Sequence, residues 1–136
     1  MRAKRCRDCT KNATHLVCPG CNQTVPREDM TSPSGRRLSY CPPCLAEWHR
    51  NNRYVKKYGI TSAEYDRLLA AQDGVCAICG TGDEGRGRDF LHVDHCHKTG
   101  KVRGLLCFHC NAGIGHFKDE TWRLRNAADY VQQHTS

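Results

Sequence analysis

Cys76 and Cys79 open, and Cys107 and Cys110 close, the stretch that most restricts what this chain can fold into. Two C-x-x-C pairs offer four thiolates to one tetrahedral ion. The two residues between each pair of ligands let a tight turn present both sulfurs together, which suits zinc. The separation between the pairs leaves room for a hairpin. A disulfide framework would need an oxidising compartment, and Met1-Arg2-Ala3-Lys4-Arg5 lacks the apolar stretch of a signal peptide. A redox role has no βαβ pattern around any pair to support it. The four cysteines therefore read as a structural zinc site.

Inside that frame lies Leu91-His92-Val93-Asp94-His95-Cys96-His97. Its alternation has a period of two and predicts a strand, with Asp94 and His95 on opposite faces, one toward a metal and one toward substrate. Aspartate is a hard oxygen ligand suited to magnesium, an ion that keeps several of its waters. A neutral imidazole can take a proton from an attacking water. Asn111 directly follows Cys110, so the zinc would fix its amide oxygen as a second ligand. Alone, an Asp-His pair is usually polar surface, and an Asn after a cysteine is often a cap. Their joint occurrence in a zinc frame favours a hydrolytic metal site.

Hydrophobic residues make up only 38% of the 136 residues, too few for a large core. Small domains compensate with metals, and 11 cysteines fit that. The reading is a Cys-rich module over residues 1–50 and a second domain over 51–136. A net charge of +7, spread along the chain, points to a polyanionic partner. No apolar run approaches the roughly 20 residues of a membrane span. Reduced thiolates without an export signal place the chain in the cytoplasm.

Three further pairs precede residue 45: Cys6/Cys9, Cys18/Cys21 and Cys41/Cys44. One zinc needs four thiolates. Cys18, Cys21, Cys41 and Cys44 form the favoured zinc ribbon, since Pro19-Gly20 and Pro42-Pro43 within the pairs are residues of tight turns and Ser32-Pro33-Ser34-Gly35 between them reads as a hairpin loop. Cys6/Cys9 with Cys18/Cys21 is the rival pairing. In the favoured pairing, His15 and His49 are candidates to join Cys6 and Cys9.

Residues 45–58 read as a helix with Leu45, Trp48, Val55 and Tyr58 near one face, and Trp48 in the core. Arg50, Arg53, Lys56 and Lys57 give it a basic side for phosphate contact, with Trp48 and Tyr54 as alternative platforms for unpaired bases. Thr61-Ser62-Ala63-Glu64 is a capping box opening a helix with Tyr65, Leu68 and Leu69 on one face, ended by Asp73-Gly74. Thr81 to Asp89, with Arg86 and Arg88, reads as a connector or a contact to DNA backbone. Lys98, Lys101 and Arg103 follow the active strand and would face phosphates. Asn111 should start a helix that Gly113 and Gly115 weaken, or open to a DNA backbone. A last helix begins at Asp119 or Thr121 and would bury Trp122, Leu124, Ala128 and Val131.

The residues Cys76-Ala77-Ile78-Cys79, Val93-Asp94-His95-Cys96-His97, Gly100 to Cys107 and Cys110-Asn111-Ala112-Gly113 resemble the recombination endonuclease VII family, a branch of the HNH (ββα-metal, His-Me finger) nucleases. Lys57-Tyr58-Gly59-Ile60-Thr61 and the helix after it share the likeness, which covers roughly residues 55–133. It implies a small zinc-stabilised α+β fold: a ββα-metal nuclease core behind an N-terminal zinc ribbon and a basic helix. It implies two structural zinc ions and a catalytic magnesium or manganese held by Asp94 and Asn111. His95 would be the general base, and His97 would assist at the phosphate. DNA would be the partner, in a phage-infected or bacterial cell, with monomer and homodimer both open. The family pattern is broken at Ile114, where junction-resolving members carry a metal-site glutamate, and at Cys96, where they carry an acidic residue. The competing function is a zinc-stabilised nucleic-acid-binding module without catalysis, which has no chemical need to keep Asp94, His95 and Asn111 together.

Overall fold

The computed structural model describes residues 13–82 and 91–135, which fall into two compact units dividing after Arg53. Cys6, Cys9 and the basic segment with Arg86 and Arg88 lie outside the described residues.

In the first unit, β1 (His15–Val17) pairs antiparallel with β2 (Thr24–Pro26), Leu16 opposite Val25. The turn between them carries Cys18 and Cys21. A 3-10 turn over Glu28–Met30 follows. The chain then reverses through the expected Ser32–Gly35 loop. The Gly35 amide donates to the Ser32 carbonyl at 2.8 Å, and Gly35 takes a φ of 79°. Leu16, Met30, Cys18 and Cys41 form the small core.

Helix α1 runs over Pro42–Tyr58. Two prolines suit its first turn, where backbone amides have no helical partner anyway. Its buried face is not the expected one. Arg50 and Tyr54 are buried and Tyr58 is half-buried, a spacing of one turn per step. Trp48 is 49% exposed and Val55 45% exposed, so Trp48 is not a core residue. A stripe drawn through apolar letters alone missed the face because tyrosines and an arginine stem fill it.

In the second unit, Tyr54 stacks on Tyr65 with ring centroids 4.7 Å apart. Tyr54 is thereby a packing residue rather than a platform for bases. Helix α2 (Ser62–Ala71) begins at the expected capping box: Thr61 and Glu64 satisfy each other's amides. Tyr65 is fully buried, and Leu68 and Leu69 pack beside it. Asp73 and Gly74, at φ of 53° and 74°, turn the chain out of the helix.

Strand β3 (His92–His95) and strand β4 (Val102–Leu106) then form an antiparallel hairpin, followed by helix α3 (Phe108–His116). Leu91, Val93, Leu105 and Leu106 bury this ββα unit against Tyr65. The last helix, α4 (Thr121–Gln133), starts at Thr121, one of the two expected starts. It buries none of its residues fully: Trp122 is 57% exposed and Val131 62% exposed, and of the expected core stripe only Leu124 is half-buried. Among the described residues no helix is long and apolar enough to cross a membrane.

Candidate active site

Two clusters of four thiols frame the units. Cys18, Cys21, Cys41 and Cys44 come together in the first, and Cys76, Cys79, Cys107 and Cys110 in the second, each with its sulfurs within 4.8 Å of one another. The favoured ribbon pairing therefore holds over its rival. The first turns of both clusters are built alike. The amide after the second cysteine donates to the carbonyl of the first, Asn22 to Cys18 at 2.9 Å and Gly80 to Cys76 at 3.0 Å. Both residues take positive φ, 58° and 70°. Gly20 is needed for another reason: a Cβ there would sit 3.0 Å from the Cys44 side chain.

The thiols within each cluster compete to ionise. A backbone amide at Cys41 lowers Cys18 to about 6, while the thiol of Cys41 and burial push Cys44 up to about 12. The Thr81 hydroxyl and amide lower Cys79 to about 6, while burial and the neighbouring sulfurs push Cys110 up to about 12. A dication accepting four thiolates removes that conflict, so both donor sets fit a tetrahedral metal. His15 and His49 join no such cluster among the described residues; His15 contacts the Thr14 hydroxyl and His49 lies edge-on to Trp48.

The second cysteine cluster positions the second site. The Ala77 amide donates to the Leu105 carbonyl at 3.1 Å, tying the first Cys turn to β4. Cys107 caps α3, and the Asn111 amide bonds the Cys107 carbonyl at 3.0 Å. Asn111 thus sits within the first turn of α3 rather than at its start, which is Phe108. On the strand side, the ladder shifts register between Asp94 and His95: Asp94 faces Gly104 and His95 faces Val102. The bulge relaxes the strict alternation that would separate the two residues. Both border one cavity of about 210 Å³, together with His97, Asn111, His92, Lys57, Tyr58 and Asp119. The His95 ring meets the Tyr58 ring edge-on at 6.1 Å and the His97 ring at 5.2 Å.

Asp94 is buried, and Arg103 holds it from the bulged strand with Nε 2.7 Å from Oδ2 and Nη2 2.8 Å from Oδ1. Arg103 is therefore not the phosphate-facing cation the sequence suggested; its pKa is raised by the hydrogen bond to Asp94. Each Asp94 oxygen keeps a second lone pair. With the Asn111 amide at the same cavity, the oxygen donors fit a hard divalent cation.

Of the other cations singled out, Lys98 and Lys101 are exposed on the β3–β4 turn, and Arg53, Lys56 and Lys57 are exposed on α1. Arg50 is 8% exposed and lies 3.4 Å from Glu47, which withdraws it from any phosphate. Asp119 was legible only as a helix boundary. Its sequence signal, an acid eight places past Asn111, matches no metal-site spacing.

A hairpin and a helix clamped by four cysteines form a small ββα unit, with Asp94-His95 on its first strand and Asn111 in its helix. The family model for recombination endonuclease VII matches residues 51–133, and the chain belongs to that family of DNA endonucleases. The chain is 39% identical over 113 residues to the Gene 59 protein of Mycobacterium phage D29, covering 74% of this chain and 67% of that protein. It is 36% identical over 111 residues to the Gene 59 protein of Mycobacterium phage L5, covering 73% and 66%. It thus spans about two thirds of the length of these relatives. It is also similar to the crystal structure of the ββα-Me type II restriction endonuclease Hpy99I, at 22% identity and a TM-score of 0.40, covering 90% of this chain and 68% of that one.

Proposed function

We propose that this chain is a divalent-metal-dependent HNH-type endonuclease that hydrolyses phosphodiester bonds in DNA, with His95 as the general base. The observation that carries the reading is the meeting of Asp94, His95, His97 and Asn111 at one cavity, inside the segment the family model matches. The imidazole of His95 takes the proton of the attacking water, a role worth about 10²–10⁴ in rate for a well-placed base. Tyr58 and His97 hold that ring edge-on from two sides. Asp94 and Asn111 would hold magnesium or manganese, whose charge stabilises the phosphorane-like transition state and the leaving oxygen. His97, exposed at the cavity, would meet a phosphate oxygen. Lys57 at the cavity, with Lys98, Lys101, Arg53 and Lys56 exposed, supplies phosphate contacts. The two cysteine clusters hold zinc.

The substrate in this reading is branched or nicked DNA, in a phage-infected or bacterial cytoplasm. Cutting a junction symmetrically requires two copies of the site, hence a homodimer on that substrate.

The test is cleavage of supercoiled plasmid and of a synthetic four-way junction, with magnesium or with EDTA, by wild type and His95→Ala. Magnesium-dependent cutting, lost in the variant while zinc content and fold persist, is the expected result. Full activity in the variant would sink the assignment of His95, and preference for plasmid over junction would sink the branched-DNA assignment.

A further inference from the structure

Asp119 stands in the short link between α3 and α4, eight places after Asn111, yet its carboxylate reaches back to the cavity. The backbone is arranged to deliver it there. Lys118 and Asp119 both take a φ of 57°, the left-handed region that non-glycine residues enter only when the surroundings hold them. The hold is visible: the Lys118 amide bonds the Gly115 carbonyl at 2.9 Å, and the Asp119 amide bonds the Ile114 carbonyl at 3.2 Å. The link thus folds under the end of α3 instead of running straight into α4.

The side chain is 12% exposed, and its two oxygens face different partners. Oδ1 accepts from Arg103 Nη2 at 3.1 Å, and that same nitrogen donates to Asp94 Oδ1 at 2.8 Å. Oδ2 lies 3.0 Å from His97 Nδ1 and makes no well-aligned hydrogen bond among the described residues. A buried carboxylate oxygen without a well-made bond is costly, which argues that the position is kept for its neighbours in the cavity. The carboxylate is ionised there. Burial opposes the charge, but the hydrogen bond and charge of Arg103, with His97, outweigh it and hold the pKa below the usual carboxylate value.

We propose that Asp119 is a positioning residue of the site, fastening through one oxygen the Arg103 that grips Asp94 and through the other the ring of His97. Its consequence for cleavage rests on the nuclease reading above; its geometry does not. With Nδ1 turned to Asp119, the imidazole presents Nε2 to the cavity mouth, where a phosphate oxygen would arrive. A carboxylate behind a histidine fixes its tautomer and ring orientation, and loss of such a partner typically costs 10–100-fold. Through Arg103 the same side chain fixes the direction of the Asp94 oxygens. One residue therefore sets both a metal ligand and a phosphate contact.

The experiment compares zinc-loaded wild type with Asp119→Asn. Long-range proton–nitrogen NMR reads the tautomer of His97, and cleavage is measured as a function of magnesium. Wild type should show His97 protonated at Nδ1 with Nε2 bare. Asp119→Asn should shift those ring signals, lower kcat by about 10–100-fold and raise the magnesium needed for half-maximal cutting, with zinc content unchanged. Unchanged ring signals in the variant would overturn the proposal whether or not the protein cuts DNA. So would shifted signals with wild-type kcat and magnesium dependence, since the contact would then serve the fold alone. If Asp119→Asn fails to fold, the wild-type spectrum decides: a His97 protonated at Nε2 overturns the proposal. A wild type that cuts no DNA would remove the nuclease reading, and the NMR arm would still decide the geometry.

Discussion

Arg103 lays its guanidinium across both oxygens of Asp94, with contacts of 2.7 and 2.8 Å, from a residue that the strand ladder skips. The bulge and the ion pair explain each other. Asp94 pairs with Gly104 and His95 with Val102, so Arg103 is the extra residue and is free of the strict in-out alternation. Arg103→Ala should destabilise the second unit by about 1–3 kcal/mol, chiefly by leaving a buried carboxylate without its donors. The guanidinium is 36% exposed on its side chain, so solvent screening keeps the value toward the lower end. Arg103→Lys should not restore it, because a lysine cannot make the two parallel bonds. Urea unfolding of the zinc-loaded proteins measures both.

Gln72 acts as a one-residue strand on the outer edge of β4. Its Oε1 accepts the Leu105 amide at 2.8 Å, and its Nε2 donates to the Leu105 carbonyl at 2.9 Å and to the Val75 carbonyl at 2.9 Å. Gln72→Ala leaves the buried Leu105 amide unpaired and should cost about 1–3 kcal/mol. Gln72→Glu keeps the acceptor but turns a carboxylate oxygen on the Leu105 and Val75 carbonyls in place of the donor, and should be at least as destabilised. Thermal unfolding orders the three proteins, and equal stability of Gln72→Ala and wild type would refute the role.

The two thiol clusters should hold one zinc each. Cys44→Ser should halve the zinc content of the purified chain, and so should Cys110→Ser, because each strikes a different cluster. Structural zinc contributes folding energy directly, so each variant should lose the cooperative unfolding of its own unit. Atomic absorption with protease sensitivity tests this; full zinc retention in either variant would mean another group completes the site.

What was legible in the sequence was whatever obeys a spacing rule. The four C-x-x-C pairs from Cys18 to Cys110 and the Thr61–Glu64 box are local patterns, and the chain places them as their chemistry suggests, while Asp94, His95 and Asn111 meet at one cavity although the strand period had set the first two on opposite faces. The buried faces of α1 and α4 were not legible. Hydrophobic letters on α1 fall at Trp48 and Val55, but Tyr54 does the packing, held by the ring of Tyr65 that only the tertiary fold brings near. On α4 Trp122, Tyr130 and Val131 are on the surface, and Leu124 is only half-buried. Arg103 and Asp119 were misread for a different cause: a bulge and a pair of left-handed residues redirect them, and neither device has a residue pattern of its own here.

Glu64 gives helix α2 a pH dependence of known sign. The Thr61 amide donates to its Oε2 at 2.6 Å and the Thr61 hydroxyl at 2.8 Å. These bonds, with a lesser help from the charge of Arg67, lower its pKa against the opposing effect of burial. A lowered folded pKa means the stabilisation is present above the unfolded value of about 4.3. It is lost as pH falls through the folded value below that. Glu64→Gln keeps the box shape without the charge. Wild type should therefore be the more stable at pH 7, with the gap closing as pH falls below the unfolded value. The acid loss of zinc is common to both proteins and cancels in the difference, which differential scanning calorimetry can follow.

Gly113 and Gly115 lie in α3 with helical backbones, and a Cβ at either would meet nothing within 4 Å. The fold therefore has no steric use for them. Each costs the helix about 1 kcal/mol relative to alanine. Gly115 borders the cavity with Asn111 and His95, while Gly113 does not line it. The two positions should separate under substitution. Gly113→Ala should raise stability by about 1 kcal/mol and leave cleavage near wild type. Gly115→Ala should stabilise by a similar or smaller amount, being nearer the helix end, yet cut DNA more slowly, because its methyl group projects where the substrate backbone would approach. Tm and cleavage rate on the same preparations decide it: a Gly115→Ala protein as active as Gly113→Ala would mean that the open surface there serves no substrate.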